Sequence, residues 1–401
     1  MKILQVNCVF RQGSTGRIVD SIRKGLNEHG IENFVCYGRG EKVKINSVVK
    51  VANEVENKIH GLLFRVFGSE YGYSYFSTRK LIRIIKKFQP DIVHLHCING
   101  NFLNTYKLLS YLKKQEIKIV LTLHAENMHT AGCEHALDCV KWQEECHNCA
   151  QLNFFMNKIM KKLFRVDLVQ VSFKKMKKAF DECPNLTIVT PSNWLKERVQ
   201  KSTIFKNYPC QVIPNGINTE NFYKDENSNK GEGCVLHITS NFEHGIKGAK
   251  YFLEVAEKMP NQKFVVVGVR KPQHIKDSDN ITFHEHTNSL AELRQYYSNA
   301  DVFLMTSVCE NYPTVCLEAA CCGLPIVGFD VGGVKETIPI NMGEAVEFSD
   351  TEKMKQAIEI WKEKKKSISS DMIEQAREMN SELLMAKRYI DLYYKITGKE
   401  L

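Results

Sequence analysis

Long apolar runs are missing from this sequence of 401 residues. No stretch reaches the roughly eighteen apolar residues that suggest a membrane-spanning helix, so we expect none. The first ten residues, MKILQVNCVF, do not resemble a secretory segment, because Gln5 and Asn7 interrupt the apolar core that such a segment needs. We interpret them as a first strand and expect a cytoplasmic protein. In that compartment most of the 14 cysteines would be reduced thiols.

Two well-known nucleotide-binding loops are missing as well. No Gly-Lys-Ser/Thr sequence follows a glycine loop, and Gly13 and Gly16 of the first loop do not fit the GxGxxG pattern of dinucleotide-binding proteins. The order strand, glycine loop and helix still allows a phosphate or sugar to approach backbone N–H groups. An ordinary turn between strand and helix has the same residues, so both interpretations stay open.

The net charge of +9 is concentrated in one half of the chain. Residues 1–200 contain 31 Lys and Arg against 18 Asp and Glu, whereas residues 201–401 contain 24 against 28. A chain of this length is expected to form two domains. A basic domain can face nucleic acid, anionic lipid or a phosphorylated substrate. We expect no nucleic-acid partner, because no nucleic-acid motif is present and aromatic residues do not alternate with the basic ones.

Residues 154–180 combine lysines with apolar residues at helical spacing, such as Ile159 and Leu163 beside Lys158 and Lys162. A basic amphipathic helix can lie on an anionic membrane. A helix that packs on the core and exposes a basic face has the same pattern. Peripheral contact with the inner face of the cell membrane is therefore one of two predictions for this segment.

Two predicted strands carry histidines to their carboxyl ends. DIVHLHCING (91–100) contains His94 and His96, and IKIVLTLHAEN (117–127) contains His124. In open α/β sheets, ligands bind beyond the carboxyl ends of the strands. These histidines are therefore candidates for ligand contact, although a histidine with a purely structural role is the alternative.

Four cysteines lie close together in the segment that follows: Cys133, Cys139, Cys146 and Cys149. Four thiolates can hold a structural zinc ion in tetrahedral geometry. Only the last two have the CxxC spacing, and neighbouring histidines complicate the choice of ligands. Reduced thiols in a loop are the alternative to a structural zinc site.

A second series of strands and helices begins after the polar segment 224–233, which we predict to be a linker. The segment 234–253 is predicted to be a strand, a loop and the start of a helix, with Lys247 at that start. A lysine beside the free N–H groups of a helix can hold a diphosphate. Asp277 and Asp279 form a DxD pattern that could hold a metal and a diphosphate, but they lie in a polar loop rather than after an apolar strand.

The stretch from Ser307 to Gly333 contains two carboxylates, Glu310 and Glu318, on either side of a predicted helix start. Pro313 suits the first position of a helix. The free N–H groups near Thr314 would then form an anion site that the helix dipole reinforces. A phosphorylated ligand with hydroxyl groups on both sides fits this arrangement. An ordinary helix with an acidic beginning is the alternative.

Taken together, these segments resemble glycosyltransferase family 4 over nearly the whole chain. Glu310 and Glu318 match its E-x7-E motif, and its EAxxxGxP pattern follows at 318–325. VIPNGI (212–217) and the segment from LHITS to Lys-Gly (236–248) match two further blocks. The four cysteines, with GSTG, DIVHLH and TPSNW, resemble a bacterial subgroup that builds capsular, exopolysaccharide or O-antigen chains.

The resemblance implies an α/β protein of the GT-B fold, with two Rossmann-like domains facing across a cleft and a C-terminal helix that packs back on the first domain. It implies an acceptor-side domain at 1–215 with the returning helix at about 385–401, and a nucleotide-sugar-binding domain at 216–384. The implied reaction is retaining transfer of a sugar from a nucleotide-diphosphate sugar to a hydroxyl of a lipid-linked glycan acceptor, in cell-surface polysaccharide biosynthesis. Members of the family are thought to need no metal for this chemistry.

The resemblance also implies a role for each candidate residue. Lys247 would hold the donor diphosphate, Glu318 the ribose hydroxyls and Glu310 the hydroxyls of the donor sugar. His124 would contact the transferred sugar, and Gly16 would let the first loop approach the phosphates. Backbone N–H groups would assist around four further residues: Asn311, Tyr312, Pro313 and Thr314.

Two positions depart from the family's pattern. Asn241 stands where the family usually has an Arg six positions before the lysine, which would weaken the hold on the diphosphate. Ala125 stands where the subgroup commonly has an Asp after its histidine, which affects contacts to the sugar or the acceptor. The alternative functions are a catalytically weak scaffold protein that binds sugar nucleotides and a nucleotide-sugar epimerase of the same fold.

Overall fold

The computed structural model describes residues 1–68, 70–152, 155–181, 183–225, 233–275, 278–287 and 289–399. The chain forms two compact units. The first comprises Met1–Ile213 and Met385–Leu401, and the second comprises Pro214–Leu384. Each unit is built on one parallel sheet with helices between its strands, so the predicted α/β class is confirmed.

The first unit contains a seven-stranded sheet. Its strands are β1 (Lys2–Asn7), β2 (Glu32–Tyr37), β3 (Val48–Lys50), β4 (Ile92–Leu95), β5 (Lys118–Thr122), β6 (Leu186–Thr190) and β7 (Cys210–Val212), in the order β3-β2-β1-β4-β5-β6-β7. Ile3, Leu4 and Val6 of β1 are all fully buried. Burial of consecutive residues is typical of a parallel sheet that is covered on both faces.

Seven helices accompany these strands: α1 (Gly13–Glu28), α2 (Glu54–Phe67), α3 (Tyr75–Phe88), α4 (Thr105–Lys114), α5 (Phe155–Phe164), α6 (Leu168–Phe180) and α7 (Asn193–Lys201). Side-chain caps define several of their starts. Asn104 accepts a hydrogen bond from the Lys107 N–H before α4, and Ser192 accepts one from the Leu195 N–H before α7.

The second unit contains a six-stranded sheet. Its strands are β8 (Cys234–Ile238), β9 (Lys263–Val267), β10 (Ile281–His284), β11 (Val302–Met305), β12 (Ile326–Phe329) and β13 (Gly343–Val346), in the order β10-β9-β8-β11-β12-β13. Its helices are α8 (Ala249–Lys258), α9 (Leu290–Asn299), α10 (Thr314–Cys321), α11 (Thr351–Lys364) and α12 (Ser370–Met379). The strand order reverses between β8 and β11, which makes the carboxyl ends of these two strands the expected ligand site.

The last helix, α13 (Glu382–Thr397), joins the first unit from Met385 onward. Tyr389 and Tyr393 are buried in the cluster that also contains Ile3 of β1 and residues of α1. The two ends of the second unit lie side by side, because the Ile217 N–H donates to the Asn380 carbonyl (2.8 Å) and the Glu382 N–H donates to the Ile217 carbonyl (2.8 Å).

Three details differ from the sequence-based expectations. Gly16 lies in the first turn of α1 rather than in a loop, because the helix begins at Gly13. Pro313 is the N-cap of α10 rather than its first helical residue. The basic stretch forms two helices, and only α5 exposes its apolar residues, since Val169, Phe173 and Phe180 of α6 are buried.

Most of the predicted linker, residues 226–232, lies outside the described residues. In the described part of the chain, no helix is both long enough and apolar enough to cross a bilayer.

Candidate active site

The loops that follow β8 and β11 are joined at the switch point of the second sheet. The Val308 N–H donates to the Ile246 carbonyl (2.7 Å), and the Thr306 hydroxyl donates to the Lys247 carbonyl (3.3 Å). Gly248 has a φ of 70°, and a Cβ atom there would lie 1.8 Å from the Thr306 carbonyl oxygen. Only glycine therefore permits this approach of the two loops.

Lys247 and Glu310 form an ion pair at this point. Lys247 Nζ lies 2.7 Å from Glu310 Oε1, which also accepts a hydrogen bond from the Ser307 hydroxyl (3.0 Å). Both side chains are partly exposed, at 34% and 17%. The backbone of Glu310 is fixed too, because its carbonyl accepts from the Gly333 N–H (2.8 Å). Two of the three predicted catalytic side chains are thus in direct contact and accessible to a ligand.

The N-terminus of α10 lies directly after this pair in sequence. The first hydrogen bond of the helix joins the Cys316 N–H to the Pro313 carbonyl (3.2 Å), so the N–H groups of Thr314 and Val315 have no partner within the helix. Their partial positive charge favours an anion. The predicted anion site beside Glu310 is consistent with this geometry.

Glu318 lies one turn inside α10 and is buried. The Tyr297 hydroxyl of α9 donates a hydrogen bond to Glu318 Oε2 (2.7 Å). Burial, followed by the charge of Glu318, raises the pKa of Tyr297 well above its usual value, so the phenol remains a donor. A hydrogen bond from a neighbouring helix therefore helps to orient the carboxylate that the resemblance assigns to the ribose.

The remaining predicted residues of the second unit lie on the same two loops. Asn311 is buried, and the Tyr312 carbonyl accepts a hydrogen bond from the Asn215 amide (3.4 Å). Asn241 is exposed, and its N–H bonds to the Thr239 hydroxyl (3.3 Å). In the DxD pattern, Asp277 lies outside the described residues, and Asp279 is exposed in a turn before β10.

In the first unit, a hydrogen-bonded series of side chains leads from Gln5 to His124. Gln5 Nε2 donates to the Val19 carbonyl (3.4 Å), which turns Gln5 Oε1 toward His96 Nε2 (3.3 Å). His96 Nε2 must then be a donor, so His96 Nδ1 accepts from His124 Nε2 (3.2 Å). This arrangement fixes one tautomer of His124, with Nδ1 as the acceptor.

Burial keeps these histidines uncharged. Burial lowers the pKa of His94 and of His96 well below the usual value, and neighbouring histidines add to the effect. His124 retains some exposed surface, but desolvation by the surrounding protein still lowers its pKa to about 4. At neutral pH His124 can therefore accept a hydrogen bond from a sugar hydroxyl without carrying charge.

His94 connects this group to the last helix. His94 Nδ1 lies 2.6 Å from the Tyr393 hydroxyl, and His94 Nε2 lies 2.8 Å from the Thr122 hydroxyl. Thr122 in turn contacts the Tyr389 hydroxyl (3.0 Å). His94 is therefore a satisfied core residue, as the structural alternative for these histidines predicted.

Gly16, the remaining candidate of the first unit, is buried in the first turn of α1. Its carbonyl accepts a hydrogen bond from the Arg11 N–H (3.1 Å), which closes the loop after β1. The glycine thus stabilises the turn into α1 through its backbone.

The cysteine cluster fits a zinc ion in part. Cys133 Sγ and Cys149 Sγ lie 3.9 Å apart, close to the separation of about 3.8 Å that two thiolates have on one tetrahedral zinc. The Leu152 N–H points at Cys149 Sγ (3.4 Å). Among the described residues, however, no three of the four sulfur atoms come within 4.8 Å of one another. The distance between Cys133 and Cys149 is compatible with two ligands of one zinc ion, and the zinc site of the four cysteines stays a prediction.

Sequence reasoning missed three residues that position the candidate groups: Tyr297, Ser307 and Gln5. Tyr297 lies on α9 and reaches Glu318 of α10 from outside that helix. Gln5 contacts His96 because β1 and β4 are neighbours in the sheet, which no local pattern shows. The polar Gln5 inside an apolar strand was the one available signal, since a buried polar side chain needs a partner.

Two family models match the chain and together cover most of it. The model described as Glycosyltransferase Family 4 matches residues 15–221, and the model described as Glycosyl transferases group 1 matches residues 218–379. The Escherichia coli protein named as colanic acid biosynthesis glycosyl transferase WcaC is 21% identical over 86% of this chain and 87% of its own length. The N-acetyl-alpha-D-glucosaminyl L-malate synthase of Bacillus anthracis is 24% identical over 98% and 95%.

A solved structure resembles the chain over almost its full length. The crystal structure of Anabaena HepE in complex with UDP-glucose has a TM-score of 0.64 at 13% sequence identity and covers 98% of this chain and all of its own. At this identity the likeness concerns the fold alone. With the two parallel sheets described above, it confirms the predicted GT-B fold.

Proposed function

The chain belongs to glycosyltransferase family 4 and is a glycosyltransferase, and we propose that it uses a nucleotide-diphosphate sugar as donor and a glycan hydroxyl as acceptor, with retention of the anomeric configuration. The observation that carries the proposal is the contact of Lys247 with Glu310 at the switch point of the second sheet, directly before the N-terminus of α10. There a cation from the loop after β8 lies beside a carboxylate from the loop after β11, and the N–H groups at the start of α10 follow that carboxylate in sequence. The HepE complex supports a sugar nucleotide as the donor.

In the proposed reaction, the bond between the anomeric carbon and the diphosphate oxygen breaks while a bond to the acceptor oxygen forms on the same face. Negative charge develops on the departing diphosphate. Lys247 Nζ and the N–H groups of Thr314 and Val315 stabilise that charge, because fixed donors are most effective where charge develops. The diphosphate oxygen takes the proton that leaves the acceptor hydroxyl.

The other candidate groups bind the donor. Glu310 accepts hydrogen bonds from hydroxyls of the donor sugar, and Glu318, oriented by Tyr297, accepts from the ribose hydroxyls. Asn241, Asn311 and the backbone around Tyr312 lie on the same loops and complete this donor site in the second unit. In the first unit, neutral His124 accepts a hydrogen bond from the transferred sugar. We assign Glu310 to binding and not to covalent attack on the anomeric carbon.

We propose a lipid-linked glycan as the acceptor and a place in cell-surface polysaccharide biosynthesis, such as a capsule, at the inner face of the cell membrane. The support is the likeness to WcaC, whose name refers to colanic acid, together with the basic character of residues 1–200. For the cysteine cluster we propose a structural zinc ion, with the Cys133–Cys149 pair as its best-formed part.

The test is a panel of nucleotide sugars incubated with the purified enzyme and a glycan acceptor, with release of nucleoside diphosphate as the first measurement. One donor should support turnover, and NMR of the product should show the same anomeric configuration as in the donor. Lys247→Ala should abolish turnover. An inverted product would refute retention, and conversion of the donor to an epimer without acceptor would favour the epimerase.

A further inference from the structure

The first unit exposes an unusual amount of apolar surface on one group of helices. Of the nineteen large apolar side chains that are exposed among the described residues, ten lie on α2, on α5 or in the first turn of α3. Six of them form two stripes, and we call these six the apolar ridge. They are Val55, Ile59 and Leu62 on α2 and Phe155, Ile159 and Leu163 on α5.

On both helices the fully buried side chains are polar and the most exposed apolar side chains point outward, although Phe64 of α2 packs against the core. The residues that α2 buries are Asn57 and His60, and the residue that α5 buries is Asn157. In contrast, Val55 is 68% exposed and Phe155 is 70% exposed. A helix on the surface of a protein in water normally packs its apolar stripe inward. The outward stripes of α2 and α5 therefore suit an apolar environment outside the protein.

Two of these three buried polar side chains, His60 and Asn157, hold the helices in this orientation through hydrogen bonds. His60 Nδ1 contacts the Ser74 hydroxyl (2.7 Å), and His60 Nε2 contacts the Glu70 carbonyl (2.7 Å). Asn157 Oδ1 accepts from the Leu168 N–H (2.9 Å). These hydrogen bonds would be lost if either helix rotated to bury its apolar stripe. The exposure of the ridge is thus a stable property of the fold.

The three elements are also held together as one surface. α2 packs against α5, and the Ser172 hydroxyl of α6 donates to the Gly68 carbonyl at the end of α2 (2.6 Å). Glu56 of α2 accepts from the Phe76 N–H (2.8 Å) and so fixes the start of α3. Because these helices are held together, the apolar side chains of the ridge can enter an apolar environment together.

Positive charge accompanies the ridge. Lys158, Lys161 and Lys162 lie on α5, and Arg165 follows it. The nearby acidic groups already have partners within the protein, and one of them, Asp167, also pairs with Lys161 of α5 (3.5 Å). Glu54 pairs with Lys50 (2.6 Å), Glu56 binds the start of α3, and Asp167 accepts from the Asn148 N–H (2.6 Å). The ridge therefore presents apolar side chains with a basic border.

We propose that the apolar ridge inserts into the interface of an anionic membrane, with the lysines of α5 at the headgroups. Amphipathic helices bind such membranes through buried apolar area together with attraction to anionic lipids. A second copy of this chain fits less well, because pairing two ridges would bring like charges together. The proposal rests on the proposed function, since it gives the enzyme a location at its lipid-linked acceptor. It adds α2, which the sequence pattern did not indicate.

The experiment is flotation of the full-length protein with phosphatidylcholine vesicles that contain or lack phosphatidylglycerol. The ridge variant is Phe155→Ser with Ile159→Ser and Leu163→Ser. The matched control is Ile340→Ser with Met379→Ser and Leu383→Ser, three exposed apolar residues of the second unit. The ridge variant should bind anionic vesicles at least about tenfold more weakly than the wild type, and the control should bind equally well.

A charge variant, Lys158→Glu with Lys162→Glu, tests the basic border. It should lose the preference for vesicles that contain phosphatidylglycerol. Wild-type protein that binds both kinds of vesicle equally, or a ridge variant that binds like the control, would overturn the proposal. Self-association that rises with protein concentration and is lost in the ridge variant, without vesicle binding, would overturn it in favour of a second copy.

Turnover with a soluble acceptor separates this proposal from the proposed function. The ridge variant should retain the wild-type rate with such an acceptor, because the substituted side chains lie outside the candidate active site. Vesicle binding without any sugar transfer would refute the proposed function alone. Sugar transfer without vesicle binding would refute the membrane surface alone.

Discussion

Lys247 Nζ lies 2.7 Å from Glu310 Oε1, so the cation proposed for the diphosphate is paired with the carboxylate proposed for the sugar. The pair neutralises the site before the donor binds. If a diphosphate binds as proposed, Lys247 would be shared between two anions, and Glu310 would become available to hydroxyl groups. The two residues are therefore expected to act as a unit in donor binding.

Replacing Lys247 should weaken the binding of nucleoside diphosphate far more than that of the nucleoside. A hydrogen bond to a charged group is worth about 1.5–3 kcal/mol, so Lys247→Met should lower the affinity about 10- to 100-fold. Titration calorimetry measures both ligands. Lys335→Met is the matched control, because Lys335 is an exposed lysine that also pairs with a carboxylate, Asp330 (3.4 Å). Equal effects of the two variants would contradict the assignment.

Two glycines of one loop should respond differently to alanine. In Gly248→Ala, the new Cβ would lie 1.8 Å from the Thr306 carbonyl oxygen at a positive φ, which should cost roughly 2 kcal/mol or more and impair turnover. In Gly245→Ala, no atom lies within 4 Å of the new Cβ, so stability should stay within about 0.5 kcal/mol of wild type. Chemical denaturation and turnover measure both. A tolerant Gly248 would show that the two loops do not need this close approach.

Removing the Tyr297 hydroxyl should weaken donor binding, although Tyr297 itself is not proposed to contact the donor. Tyr297→Phe deletes the hydrogen bond to Glu318 Oε2, which leaves a buried carboxylate with fewer donors and should destabilise the protein by about 1–3 kcal/mol. The KM for the donor should rise several-fold. Tyr296→Phe is the control, since the neighbouring Tyr296 lies at the same end of α9 and is only partly buried. An unchanged KM in Tyr297→Phe would argue that Glu318 is oriented by other contacts.

The stability of the first unit should fall in mild acid. The pKa of His124 is lowered to about 4, below the usual value, so the unfolded chain binds more protons than the folded one between these values. Above about pH 7 this protonation does not reduce the free energy of unfolding. As the pH falls to about 5, the free energy of unfolding should decrease by about 2 kcal/mol. Denaturation at several pH values should show this slope, reduced in His124→Gln. His29→Gln, a substitution of an exposed histidine of the same unit, is the matched control variant.

The cysteine cluster should carry metal. Protein purified under reducing conditions should contain about one zinc per chain, and Cys133→Ser or Cys149→Ser should remove it. Cys183→Ser, which changes a buried cysteine elsewhere in the first unit, should retain it. Metal-free wild-type protein in which all four thiols react freely with a thiol reagent would refute the zinc site.

Local spacing explains which features the sequence could predict. The loop after β11 and the start of α10 contain Glu310, Pro313 and Glu318. Because these residues are close in sequence, their spacing alone predicts that they are close in space. The Gln5–His96–His124 series depends on β1, β4 and β5 being adjacent, which is a property of the sheet order. The contact of Tyr297 with Glu318 likewise joins two separate helices. Such contacts join distant segments and have no local pattern.

The orientation of α2 shows a second limit. Its exposed apolar residues Val55, Ile59 and Leu62 recur at helical spacing. The period alone does not state which face is buried, because Asn57 and His60 are as regularly placed as Val55 and Ile59. The partner atoms of His60 on Ser74 and Glu70 decide the question, and they belong to the following segment.

The return of α13 to the first unit has a consequence for how the protein is made. Synthesis on the ribosome proceeds from the N-terminus, and the second unit is finished by Leu384. The first unit cannot complete its core until Tyr389 and Tyr393 have emerged, because they fill the cluster around Ile3. The unit whose synthesis begins first is therefore the one whose core is completed last. A premature stop just after Leu384 would spare the second unit and leave the first without its final helix.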